Sequence, residues 1–211
     1  MDFDKLDPQM RCFALVGQFL HAWSKMEGSL HTAIGSALSI EPTKLQILIA
    51  NLMFRDKINV IRTLVDVNPF FTAKDKAGYQ KKFHDLSEYA GKSRNMIAHV
   101  PFEPHDTGVQ FAQVKARGKF ETPSTLWDTK RFQAELATVN DFRAFIEQVG
   151  NRFATQPMPQ QAYTAAARRA SYYDDVGWQG WQQPRGMSAT LMHLLSSHNS
   201  DQPNSDKPSE P

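Results

Sequence analysis

Apolar residues recur at steps of three and four through most of the first 155 residues of this 211-residue chain. That spacing builds helix faces and not strands. Phe13, Val16, Leu20, Trp23, Leu30, Ile34 and Leu38 mark one face of a helix over about 8–38. Asp7 stands as its N-cap and Pro8 opens it, where a missing N–H costs nothing. Ile40-Glu41-Pro42 breaks the pattern, and Thr43 is placed to cap a second helix over about 43–66. Its stripe is Leu45, Leu48, Leu52, Ile58, Ile61 and Val65, and Asn68-Pro69 stops it. Thr72 caps a third helix, about 73–99, with Tyr79, Phe83, Leu86, Ala90 and Ile97 inward and Pro101 beyond its end. Asp128 or Thr129 caps a fourth, about 130–154, striped by Phe132, Leu136, Val139, Phe142, Ile146, Val149 and Phe153. Between the last two, Val109, Phe111 and Lys119, Phe120 flank Lys115-Ala116-Arg117-Gly118, which reads as a short hairpin with glycine in its turn. The expectation is an all-α fold: a four-helix bundle with a β-hairpin inserted between the third and fourth main helices.

Composition sets the remaining bounds. No run approaches the ~18 consecutive apolar residues of a membrane-spanning helix. The start, MDFDKLDPQM, is acidic and lacks a basic segment followed by an apolar run, so no secretory leader is expected and the cytoplasm is the expected location. The one cysteine, Cys12, excludes an intramolecular disulfide framework and a cysteine-rich zinc site. Residues 1–155 hold 20 Lys and Arg against 17 Asp and Glu, and the whole chain carries only +2. A strong non-specific nucleic-acid binder is more basic than that. Residues 156–211 hold six of the twelve prolines, and the last stretch, from Asn199, has no apolar residue. Such a segment buries too little to offset the entropy of ordering. Residues 1–155 are therefore expected to form the folded domain, and 156–211 a mostly disordered tail. Two islands break the tail: Gln161–Tyr173, and Trp178 and Trp181 followed by Ser188–Leu195. They are expected to form short helices that either dock a protein partner, through 156–198, or form only transiently.

The third helix ends Ser93-Arg94-Asn95-Met96-Ile97-Ala98-His99-Val100-Pro101. With Ile97 at the centre of the buried face and about 100° per residue, Arg94 lies about 60° from that centre, Asn95 about 160° and His99 about 200°. Asn95 and His99 thus share the outer face, and Arg94 sits at the core edge, where its long side chain can reach outward. Arg94 and His99 lie about 140° apart on an ideal helix, too far to meet unless the arginine wraps round or a second copy completes the site. The bland alternative is a solvated helix end, whose dipole favours a histidine and an arginine in any case.

The run RNMIAH resembles the Arg-Asn-x-x-x-His signature of the HEPN superfamily, small helical bundles that are often metal-independent RNases. The likeness covers the motif, its place near the end of a late helix, and the helical body from about 8 to 155; the tail lies outside it. The resemblance implies a metal-independent endoribonuclease, a toxin or defence component, working as a homodimer with the site between protomers. No cofactor and no metal are implied. Carried over, His99 is the acid or base, since an ordinary histidine titrates near working pH. Arg94 would stabilise charge on the phosphate, and Asn95 would hold His99 or the substrate. Glu27, expected on the apolar stripe of the first helix, needs a partner. Arg94, Lys57 and Arg55 are the candidates, so Glu27 either orients Arg94 or forms a structural ion pair, with Lys57 as the supporting cation.

Other groups carry less. His84, Glu88 and Lys92 share the outer face of Asn95 and His99. Lys81, Lys82, Lys115, Arg117 and Lys119 are candidate phosphate contacts. His21, His31 and His105 lack metal-ligand spacing, although Glu103 and Asp106 flank His105 in a proline-containing loop. Cys12 has no His or Asn context and reads as a buried small residue. The competing function is a non-catalytic HEPN-like helical domain that binds a partner or a nucleotide and recruits through its tail. An enzyme needs Arg94 and His99 together and open to solvent, whereas an interaction domain can bury either.

Overall fold

The computed structural model describes residues 3–113, 115–116, 120–157 and 159. The chain divides into two units, Met1–Met158 and Pro159–Pro211, and the expected tail, with both its islands, lies outside the described residues apart from its first few. The first unit is mostly helical with a small three-stranded antiparallel sheet.

Helix α1 runs Pro8–Leu38, and Asp7 caps it as expected by accepting from the Met10 N–H at 3.0 Å. Its buried line differs from the expected stripe. Cys12, Phe19, Met26 and Ala33, seven apart, alternate with Val16, Trp23, Leu30 and Ala37. That repeat is the seam of a helix packed lengthwise on another. Its main partner is α6, Thr129–Thr155. The approach is close where Gly150 passes α1, because a Cβ at Gly150 would lie 3.2 Å from Ala33 Cα. Phe13 and Leu20, expected inside, lie on the flank of this seam and remain 53% and 39% exposed. Glu27, a further seven residues along, occupies the same flank and is only half-buried.

The expected second helix is two. α2 spans Pro42–Ile49 and α3 spans Phe54–Val67. A continuous helix would carry Arg55 and Asp56, three and four positions after Leu52, onto the apolar face. The chain instead turns at 50–53 and restarts, so that Ile58, Ile61, Leu64 and Val65 point inward. Thr43 is not the cap of α2. The Glu41 carboxylate takes that role, accepting from the Thr43 and Lys44 N–H groups at 3.0 and 3.1 Å, with Pro42 as the first residue. Asn68 ends α3 by accepting from the Phe70 N–H at 2.8 Å. α4, Ala73–Tyr89, opens on a reciprocal capping box between Thr72 and Asp75. It passes into a π-helical turn, Ala90–Arg94, and then into α5, Asn95–His99. The third helix therefore reaches its expected end with an interruption inside it.

The insertion is larger than a hairpin. β1, Phe102–His105, pairs with β2, Gly108–Ala112, and β2 pairs with β5, Ser124–Asp128, all antiparallel. The expected hairpin survives as a two-residue pair at the far end, β3 Lys115–Ala116 against β4 Phe120–Glu121; residues 117–119 of its turn lie outside the described residues. The segment around His105 reads as a loop because of Pro104, but β1 is an edge strand and tolerates a residue without an N–H. Gly108 is required there, since a Cβ would stand 2.1 Å from the Trp127 carbonyl oxygen. One sheet face buries Val109, Phe111 and Trp127, and the Trp127 ring meets Phe111 and Phe132 of α6 edge-on, each at 5.4 Å between centroids. At the hairpin turn Arg11 of α1 donates to the Asp106 carbonyl, tying the sheet to the start of α1.

Candidate functional site

The π turn places the motif. In an α-helix the Asn95 N–H would bond the Gly91 carbonyl; here it is shared between the Ala90 and Lys92 carbonyls instead. The displaced Gly91 carbonyl accepts from the Asn95 side-chain amide at 3.4 Å. The oxygen of that amide accepts from Arg94 Nη1 at 3.3 Å. The same Nη1 stands 2.7 Å from His99 Nε2. Arg94 is half-buried, while Asn95 and His99 are exposed.

The 140° expected between Arg94 and His99 is thus bridged within one chain. Arginine has five N–H donors and no acceptor, so Nε2 must accept, and the ring in this contact is neutral with its proton on Nδ1. Asn95 bonds the arginine and the backbone rather than His99. A basic nitrogen, a guanidinium with donors to spare and a free imidazole edge meet at an open helix end. That arrangement can bind a phosphate and move a proton beside it.

Glu27 is elsewhere. Its Oε1 accepts from Lys57 Nζ at 2.7 Å and lies 3.8 Å from His31 Nε2. Lys57 is buried, at 7% exposure, and Arg55 is exposed. Of the three cations weighed for Glu27, Lys57 is the one it holds. Burial and the Lys57 charge push the His31 pKa below its ordinary value, against a smaller opposite pull from Glu27.

The remaining candidates stay apart. Lys92 pairs with Glu88 at 3.6 Å on the outer face shared with exposed His84. His105 Nδ1 lies 3.1 Å from the Thr107 hydroxyl in the β1–β2 turn. Arg117 and Lys119 lie outside the described residues, as does the side chain of Lys115. Cys12 is fully buried, and burial raises its thiol pKa, which removes nucleophilic character. Among the described residues no three His, Cys, Asp or Glu side chains are grouped to hold a metal ion, and no described helix is long and apolar enough to cross a membrane. A groove of about 410 Å³ between α1 and α6, lined by Lys25, Ser29, Thr32, Arg143 and Glu147 among others, includes none of the three motif residues.

Two residues beside the site carry no signal in the motif. Tyr89 and Glu135 meet just before the π turn, where the Tyr89 hydroxyl donates to the Glu135 carboxylate. Their sequence spacing of 46 hides the contact. No family model, curated protein or solved structure matches this chain.

Proposed function

We propose that the chain is a metal-independent endoribonuclease of HEPN type, with a four-helix bundle as its body and Arg94, Asn95 and His99 as its site. The 2.7 Å contact between Arg94 Nη1 and His99 Nε2, at a helix end open to solvent, is the observation that carries this reading. Nε2 held as an acceptor is a base in waiting. An arriving phosphodiester competes for the guanidinium, which turns its fork to the phosphate and frees Nε2. His99 then takes the proton of the 2′-hydroxyl, the 2′ oxygen bonds to phosphorus, and the bond from phosphorus to the 5′ oxygen breaks. A proton returned from His99 or from a second acid neutralises that oxygen, while Arg94 offsets the charge gained by the phosphate. Asn95 positions Arg94. The resemblance extends this reading to a homodimer acting on cellular RNA in the cytoplasm, as a toxin or defence component.

The rival reading is a non-catalytic HEPN-like domain that binds a partner or a nucleotide. It is favoured by the net charge of +2, which supplies little general attraction for RNA. The deciding experiment incubates a labelled RNA pool with purified protein in excess EDTA, beside Arg94→Ala and His99→Ala variants checked for folding. Cleavage by the wild type that both variants lose supports the enzyme. No cleavage by a folded wild type across structured and single-stranded RNAs favours the binding domain. Sedimentation of the same protein tests the dimer.

A further inference from the structure

A π turn is a rare and costly interruption of a helix and persists only where its surroundings hold it. The surroundings of Ala90–Arg94 are specific. Tyr89 immediately precedes the turn and is half-buried. Its ring stacks on Trp23 at 6.2 Å and 17° and leans on Phe142 of α6 at 5.6 Å. Its hydroxyl donates to the Glu135 carboxylate and lies 3.3 Å from the Glu135 carbonyl oxygen. Ser93 lies inside the turn, next to Arg94. The phenol gives its one hydrogen to Glu135. Burial, then the Glu135 carboxylate, push the Tyr89 pKa far up, so the phenol keeps its proton. Glu135, only 15% exposed, sits on α6, the helix that packs along α1. Glu135, Trp23 and Phe142 thus fasten Tyr89, at the start of the turn, to the helical body.

We propose that Tyr89 is a positioning residue: through Glu135 and its ring contacts it holds the π turn in the register that leaves the Gly91 carbonyl to the Asn95 amide, which in turn holds the Arg94 guanidinium on His99. This rests on Arg94 and His99 being the functional pair. Without the phenol hydroxyl, the Asn95 N–H is free to return to the Gly91 carbonyl. The Asn95 amide then loses its backbone anchor, and Arg94 swings away from Nε2.

The test reads the histidine directly and needs no activity. Full-length protein with ¹⁵N-labelled histidine is studied by long-range ¹H–¹⁵N correlation at mildly alkaline pH, with His99 assigned through His99→Gln. The wild type is expected to show His99 protonated on Nδ1, because Arg94 occupies Nε2; Arg94→Ala is expected to revert to the Nε2–H form of a free imidazole. Tyr89→Phe, which keeps the ring packing, should lose the Nδ1–H pattern as Arg94→Ala does. Glu135→Gln retains an acceptor and should keep the pattern, while Glu135→Leu should lose it. Thr72→Ala weakens the far end of the same helix and should lower Tm with the pattern intact. Retention of the wild-type pattern in both Tyr89→Phe and Glu135→Leu overturns the proposal and leaves Tyr89 a packing residue. A wild type that lacks the Nδ1–H pattern overturns it as well. If the pattern moves as expected but no RNA is cleaved, the positioning role stands and the ribonuclease reading falls. If RNA is cleaved, Tyr89→Phe should lower kcat by about a hundredfold with little change in KM, the scale of misplacing a reacting group.

Discussion

Two polar clusters stand on this helical body and differ in what they leave unused. Between α1 and α3, Lys57 and Glu27 meet at 2.7 Å with the lysine buried. Each charge there exists for the other, since removing it would strand a charge away from water. At the end of α5, Arg94, Asn95 and His99 meet at similar distances, with Arg94 half-buried and Asn95 and His99 exposed. A guanidinium there has donors left over and an imidazole has a free edge. A satisfied pair built on a buried lysine holds helices together, whereas a pair with an exposed imidazole and spare donors is available to a ligand.

The contrast fails or sharpens in four measurements. The largest effect expected is on activity: His99→Ala and Arg94→Ala should each lower RNA cleavage by about 10²–10⁴-fold. The stability of His99→Ala, read from its thermal melt, should change by no more than about 0.5 kcal/mol, because that side chain is exposed. A large loss of stability instead would place the motif among the structural clusters. Lys57→Ala should do the reverse. It leaves Glu27 half-buried without its cation, which costs about 1–3 kcal/mol in urea unfolding, while cleavage per folded molecule is unchanged. Replacing both members, Glu27→Met with Lys57→Met, should recover most of that loss, because no buried charge is then left alone. A double variant as unstable as Lys57→Ala would show that the pair itself contributes net stability.

The smallest effect concerns pH. His31 has its pKa lowered by burial and by Lys57. The unfolded chain therefore takes up a proton at higher pH than the folded one does. Stability is complete above the unfolded value of about 6.5 and falls as pH drops through it, until the folded pKa is passed. Comparing melting curves of wild type and His31→Gln on either side of that value isolates the contribution. An unchanged acid slope in the variant would remove His31 from the account.

Much of the helical body is legible in the sequence. Local chemistry sets where helices start: Asp7 before Pro8, Thr72 with Asp75, and Asp128, which accepts from the Arg131 N–H at 2.8 Å. Each cap lies within a few residues of what it caps. Periodicity also finds the buried faces of α4 and α6. It misreads α1, because Phe13 and Leu20 fit a three-and-four step as well as their neighbours do. Only the seven-residue seam against α6 decides that they stay outside. It joins α2 to α3 although the gap from Leu52 to Ile58 breaks the stripe and holds the sign of the interruption. It misses β1 and β5, since neither strand buries a full face until β2 lies between them.

The sequence by itself determined the residues of the candidate site. Arg94, Asn95 and His99 are close in the chain, so their types and nearness need no fold. Their convergence is a tertiary fact. On a regular helix Arg94 and His99 face about 140° apart, and the arginine side chain spans that angle by wrapping round to Nε2, beside a π turn that leaves the Gly91 carbonyl to Asn95. Nothing in Ala90-Gly91-Lys92-Ser93 demands such a turn. Its anchors come from Glu135 and Phe142 on α6 and Trp23 on α1, far away in sequence. The same holds for Glu27: its type announces the need for a partner, but the packing of α1 on α3 selects Lys57. Backbone geometry over a few residues is set by local sterics and capping, while the choice among nearby partners is set by which helices the core brings together.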